Sequence, residues 1–123
     1  MTTNNHTAAA LQALDAAIND AILNGRALEA FETYYDDAIV MQENDGPETV
    51  GKDANREREI AFFDAITEFR GASVDHTAVG DDVTYSRWFY DYTHRDWGAR
   101  RYHQIAVRQW RDGKVIRESF YYG

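Results

Sequence analysis

The stretch Arg100-Arg101-Tyr102-His103-Gln104-Ile105-Ala106-Val107-Arg108-Gln109-Trp110-Arg111-Asp112-Gly113-Lys114-Val115-Ile116-Arg117-Glu118-Ser119-Phe120-Tyr121-Tyr122 decides the fold. Two runs of alternating character flank Arg111-Asp112-Gly113, the pattern of antiparallel strands joined by a tight turn. Read as a three-residue loop closing on glycine, the turn pairs Trp110 with Lys114. Arg108 then faces Ile116, Ala106 faces Glu118, Gln104 faces Phe120 and Tyr102 faces Tyr122. A comparable turn at Asp96-Trp97-Gly98 brings Tyr92, Tyr90, Trp88 and Ser86 to the same side. One sheet face therefore carries Trp88, Tyr90, Tyr92, Tyr102, Trp110, Phe120 and Tyr122. The other carries His103, Ile105, Val107, Val115, Arg117 and Tyr121. Because side chains alternate with a period of two, a one-residue slip would exchange the two sets.

Upstream, strands are expected around 73–79 and 83–94, with a turn at Gly80-Asp81-Asp82. The period changes before that. Leu11, Leu14, Ile18, Ala21 and Ile22 recur at helical spacing, with Asp15, Asn19 and Asp20 between them, and Asn24-Gly25 stops the helix. A shorter helix carries Leu28, Phe31, Tyr34 and Tyr35. A strand follows at 38–42, then the turn Asn44-Asp45-Gly46-Pro47. A third helix runs from about Asp53 to near Arg70-Gly71, with Ile60, Phe63 and Ile66 along one face and Phe62 beside them. The expected class is α+β: a curved antiparallel sheet forming a cone, closed by three N-terminal helices, over residues 9–123 after a polar tail at 1–8.

Composition narrows the partners. Residues 1–70 hold 14 acids against 5 bases, a balance of −9, while residues 71–123 hold 7 acids and 8 bases, a balance of +1. The net −8 is thus a property of the helical half, whose acidic surface favours solubility and disfavours nucleic acid. No cysteine is present, which excludes disulfides, thiolate zinc sites and thiol nucleophiles. No apolar run is long enough to span a membrane, and residues 1–7 lack a basic segment of the secretory kind, so a cytoplasmic location is expected. Four histidines without regular spacing to carboxylates do not suggest a metal site. No metal or other cofactor is expected.

Phe31-Glu32-Thr33-Tyr34-Tyr35-Asp36-Asp37-Ala38, then Gly51 opening a helix, then Trp110-Arg111-Asp112-Gly113-Lys114-Val115-Ile116 resemble the SnoaL-like branch of the nuclear transport factor two-like superfamily. The resemblance covers roughly residues 9–122 and implies an α+β barrel-like fold. It does not imply one activity, since the superfamily holds isomerases, cyclases, hydrolases and non-catalytic modules. The positions matching the ketosteroid isomerase site are Ile18, Gln42 (with Glu43 beside it) and Ala106. Ile18 and Ala106 can neither donate to an oxyanion nor accept a proton, so steroid isomerisation is excluded. Where polyketide cyclases carry histidine and aspartate on the last strand, the matching residues are Glu118 and Phe120. Arg108 and Glu118 imitate part of the Asp-Arg-Asp set of the superfamily's epoxide hydrolases.

Glu118 is accordingly the first candidate for acid–base chemistry, since a carboxylate among aromatic rings holds its proton more tightly. Equally, Arg108, diagonal to it, would neutralise it as a buried structural pair. His76 is a second candidate if it faces the cavity; otherwise it is a half-exposed histidine near a sheet edge. Phe31, Tyr34, Gln42, Phe63, Trp88, Tyr90, Tyr92, Tyr102, Gln104, Arg108, Phe120 and Tyr122 are expected to line a pocket for a small, flat, partly polar organic ligand. The opposite face, with Ile105, Val107, Val115 and Tyr121, is too apolar for water, and the resemblance implies a homodimer through it. A cofactor-independent enzyme of isomerase, cyclase or hydratase type and a non-catalytic ligand-binding or dimerisation module both fit these residues.

Overall fold

The first helix, α1 (Ala8–Leu23), begins where the Thr7 side chain accepts from the Ala10 N–H at 3.1 Å and ends at Asn24-Gly25, with Gly25 at φ 77°. The computed structural model describes residues 7–123, so residues 1–6 of the expected tail lie outside the described residues. After α1 come α2 (Ala27–Tyr34), β1 (Tyr35–Glu43), β2 (Glu48–Val50), α3 (Lys52–Asp64), β3 (Ile66–Gly80), β4 (Val83–His94), β5 (Gly98–Arg111) and β6 (Lys114–Tyr121). The strands form one curved sheet in the order β2-β1-β6-β5-β4-β3. It is mixed rather than wholly antiparallel, because β1 runs parallel to β6. The expected α+β class holds, and the sheet is not closed on itself.

Two helical faces differ from expectation. Asp15 and Asn19 are buried with Leu11, Ile18 and Ala21 instead of pointing to water, because an arginine beneath them needs their oxygens. On α3, Ile60 and Phe63 are about two-fifths exposed, and the residues turned inward are Asn55, Phe62 and, just past the helix, Ala65. Asn55 is fully buried, its amide donating to the carbonyls of Ile39, Thr49 and Gly51, which fastens α3 to the β1–β2 hairpin. The helix also stops earlier than expected, at Asp64. Residues 66–70 are strand instead, because Ile66 and Phe69 pair with His94 and Tyr92 and so complete the far end of β4.

The β5–β6 hairpin follows a different register from the expected one. Asp112 and Gly113 both have positive φ (53° and 77°), which makes a two-residue turn of the mirror-image type and pairs Arg111 with Lys114. Trp110 therefore faces Val115. One extra residue in β6, between Val115 and Arg117, then shifts the ladder so that Arg108 lies opposite Glu118 and Ala106 opposite Phe120. The displacement from the expected pairs is two residues, so the faces survive it. Val115 is the exception: it turns inward and is fully buried in the core with Leu11, Ile18, Phe31, Tyr35, Ile39, Met41 and Trp110. It cannot contribute to an outer interface.

Candidate functional site

Between α1 and the inner sheet face lies a buried ionic network. Arg108, 2% exposed, donates from Nε to Glu118 Oε2 at 2.7 Å and from Nη1 to Asp15 Oδ1 at 2.8 Å and Asn19 Oδ1 at 2.7 Å. Tyr35 donates its hydroxyl to the other Glu118 oxygen at 2.7 Å. Thr84 and Ser86 on β4 donate to the two Asp15 oxygens at 2.8 and 3.1 Å, and Asn19 donates to Ser86. Trp110 Nε1 closes the set by donating to Thr84 at 2.9 Å. Burial works against the charge on Arg108, yet the surrounding Tyr35, Glu118 and Asp15 oxygens outweigh it and hold the guanidinium ionised. Burial and the neighbouring Glu118 charge push the Tyr35 hydroxyl well above its ordinary range, so it stays a donor. Both oxygens of Glu118 are thus spoken for, which is the structural pair anticipated as one of its two readings.

Beyond the network, the inner face of β4–β6 carries a sheet of rings. Trp88 stacks on Tyr90 with centroids 5.3 Å apart and planes 5° from parallel. Tyr90 and Tyr102 are 5.8 Å apart, Tyr102 and Tyr122 5.4 Å, and the Tyr92 and Tyr102 hydroxyls are bonded at 2.8 Å. Burial raises the hydroxyls of Tyr90 and Tyr102 well above their ordinary range, and that of Tyr122 to about 12. All three stay protonated at physiological pH, and that of Tyr122 donates to Glu43 Oε1 at 2.7 Å. Gln104 lies on the same face, opposite Trp88. Trp88 Nε1 is buried with no acceptor among the described residues, an unspent donor beside polar and aromatic surface.

Sequence reasoning missed Glu59. It follows Asn55 by one helical turn and precedes Phe62 by three residues, and both neighbours face the sheet; Phe62 lies edge-on to Tyr92 at 5.6 Å. The residue is half-buried, and among the described residues its carboxyl has neither an ion pair nor a hydrogen bond, unlike Glu118. Burial first, then the charge of Glu118, raises it to about 7, with Glu43 adding to the rise and Arg58 opposing it. The Asn55, Glu59, Phe62 spacing was readable as a helix face. The more hydrophobic Ile60 and Phe63 drew attention to the other side.

The other expected site residues divide. Phe31 is a core residue, packed on Tyr35 at 5.0 Å, and Tyr34 and Phe120 pack partly buried against the same core. Phe63 is on the outer side of α3, where Phe62 takes the inward position. Gln42 lies on the opposite sheet face, its amide donating to the Gly46 carbonyl and its oxygen accepting from Arg117. His76 also points away from the rings: β3 has an extra residue between Val74 and His76, which pairs His76 with Arg87 and leaves it exposed on the outside.

At the open end of the ring sheet, Trp97, Arg100 and Tyr122 line a groove of about 420 Å³. A second groove, about 470 Å³, runs on the outer face past Tyr85, Val107 and Ile116. Among the described residues no three of His, Asp and Glu converge as a metal-binding group, and no helix is long and apolar enough to cross a membrane.

The chain is similar over 91% of its length to the crystal structure of a candidate SnoaL-like polyketide cyclase from Mesorhizobium loti, with 25% identity, a TM-score of 0.82 and 98% of that chain covered. A ketosteroid isomerase-like protein from Erwinia carotovora shares its fold at 18% identity and a TM-score of 0.68, over 94% of this chain and 95% of the other. An NTF-2 like protein of unknown function from Burkholderia xenovorans does so at 16% and 0.73, over 93% and 83%. No curated protein sequence matches. The SnoaL-like domain model matches residues 29–122, from the middle of α2 to the end of the sheet, and the chain belongs to that family.

Proposed function

We propose that the protein binds a small planar organic molecule between α3 and the tyrosines of β4–β6 and moves a proton on it without a cofactor, with Glu59 as the acid–base group. The observation that carries this reading is an inward-facing carboxyl that spends no hydrogen bond on the fold, next to one, Glu118, that spends all of its own. A group poised near neutrality both takes and returns a proton efficiently. The Tyr90 hydroxyl and Trp88 Nε1 supply neutral donors for an oxygen whose charge grows as a neighbouring carbon loses its proton, while the Tyr102 hydroxyl is bonded to that of Tyr92. Isomerisation and aldol-type ring closure both begin with that step. The Glu118 carboxylate, paired with Arg108, has a supporting role: its charge discourages a second negative charge on Glu59.

The test is exchange of carbon-bound hydrogen. Planar aryl 1,3-diketones incubated with the protein in deuterium oxide should exchange their central C–H faster than in buffer, followed by proton NMR. Glu59→Gln should remove at least 100-fold of the excess rate. Exchange that survives Glu59→Gln would exclude the assignment. Thermal stabilisation by the same compounds with no exchange in the wild type would favour a ligand-binding module over an enzyme.

A specific observation also favours a homodimer. On the outer sheet face Tyr85, Ile105 and Tyr121 remain 41%, 37% and 40% exposed, around the groove that includes Val107. Pairing two such faces removes them from water. Sedimentation should give a dimer for the wild type and a monomer for Ile105→Lys, whose charge would be placed on that face.

A further inference from the structure

Arg100 is one of three cations, with Arg111 and Lys114, that have no carboxylate partner among the described residues, and the one of them set against the rings. The sequence holds 21 acids and 13 bases, so carboxylates outnumber cations, yet among the described residues Arg100 has no carboxylate partner. Residues 1–6 contain no Asp or Glu to provide one. Its guanidinium lies over the Tyr102 ring, 5.1 Å from the centroid, and its Nε, like that of Arg58, is buried with no acceptor among the described residues. Other arginines near it are engaged: Arg58 with Glu43, Arg70 and Arg101 with Asp91, and Arg95 with Asp96. Arg100 also lines the groove at the open end of the rings, with Trp97, 58% exposed, and Tyr122. Trp97 is held in place by stacking on His94, with centroids 3.7 Å apart and planes 8° from parallel.

We propose that this groove is the anion-recognising end of the ligand site and that the ligand is a planar aromatic carboxylate, gripped by Arg100 and stacked against Trp97 and Tyr122. This deepens, and rests on, the reading of the ring sheet as a ligand site. Three observations converge on it. A guanidinium with an unspent Nε–H offers a carboxylate the fork geometry that it prefers. The rings around it are fixed by their own contacts, so they are platforms already in place for a flat molecule. Charge along the site is uneven: Glu59 lies unpaired at the inner end, whereas at residues 95–101 Arg95 and Arg101 are paired with Asp96 and Asp91 and Arg100 has no ion pair among the described residues. An anionic group is repelled from the inner end and attracted to the outer one, which sets the ligand's direction. Arg100 and Gln104 are four residues apart on one strand, about 13 Å. That span suits a molecule of two or three rings whose neutral end reaches the level of Trp88.

The probes are 1-naphthoate and 1-naphthamide, which match in shape and differ in charge. Titration calorimetry at pH 7.5 and low salt should show the acid binding at least 10-fold more tightly than the amide. The preference should weaken in 0.5 M NaCl. Arg100→Gln keeps hydrogen-bond donors and removes the charge; it should bring the acid down to the affinity of the amide and leave the amide unchanged. Equal binding of acid and amide by the wild type, or an acid preference that survives Arg100→Gln, overturns the anion assignment while the aromatic site stands. If neither probe binds either protein, both readings fall. A thermal melt of Arg100→Gln within a few degrees of the wild type shows that loss of the preference is not loss of the fold.

Discussion

Arg108→Met should destabilise the protein by about 3–5 kcal/mol, read as a shift of the urea midpoint with an unchanged slope. Methionine fills much of the arginine's space, so the loss is not chiefly a packing effect. It arises because Asp15 and Glu118, 5% and 2% exposed, are left as buried negative charges facing each other without their shared cation. Asn19 loses the donor to its oxygen in the same step. Adding Glu118→Gln to Arg108→Met should therefore recover about 1–2 kcal/mol, since one of the two uncompensated charges is removed. A single Arg108→Met variant within 1 kcal/mol of the wild type would show that the network contributes nothing net to stability. It would also weaken the case that Glu118 is permanently engaged.

Glu59→Gln should do the opposite and stabilise the protein, with a gain that sets in above about pH 4.5 and is nearly complete by pH 7. The sign follows from the direction of the shift. Glu59 is raised to about 7 in the folded protein, against 4.5 as its ordinary value. Below about pH 4.5 the carboxyl is protonated in the folded and unfolded chains alike, and it costs nothing. Between 4.5 and 7 the unfolded chain releases the proton that the folded chain retains, so stability falls as pH rises. Above 7 the folded protein carries an ionised carboxylate near Glu118 and Glu43, opposed among the described residues by Arg58, and its charge also acts on Tyr35 and Tyr90. The accumulated penalty is about 3 kcal/mol at pH 8. Glutamine avoids it. Urea unfolding at pH 8 and pH 5 should show a gain of that size at the first and under 1 kcal/mol at the second. A gain independent of pH would mean that the carboxyl is not titrating in this range. A substitution that stabilises the fold while removing proton transfer is the behaviour expected of a residue kept for chemistry.

The sheet was legible because alternation is a local signal. The inner positions of β4 and β5 could be listed from their period of two, although the turn lies at residues 95–97, one residue before the expected Asp96-Trp97-Gly98, with Gly98 already paired to His94. The β5–β6 pairing was displaced because Asp112-Gly113 suits either a two-residue or a three-residue loop, and a bulge further along β6 conceals the choice. Bulges also decided the fates of Val115 and His76, each turned to the other face by one extra residue that no pattern announces. On the helices the difficulty was of another kind. Hydrophobicity marks an inward face only when the partner surface is apolar. Here α1 lies over an arginine and α3 over tyrosines, so Asp15, Asn19, Asn55 and Glu59 turn inward while Ile60 and Phe63 do not. The polar residues that define the site are those a hydrophobic pattern assigns to solvent.

The position of β6 between β1 and β5 has a consequence for how the molecule comes into being. As the chain leaves the ribosome, β3, β4 and β5 can zip together as successive hairpins while β1 still waits for its parallel neighbour. Until Glu118 arrives, Tyr35 has no acceptor, and Arg108 and Asp15 can meet only in the presence of water. Assembly of the two halves and dehydration of the ionic cluster are therefore a single late event. A nascent protein halted before β6 would display both an open strand edge and an unsheltered charge cluster, the features by which quality-control factors recognise unfinished chains.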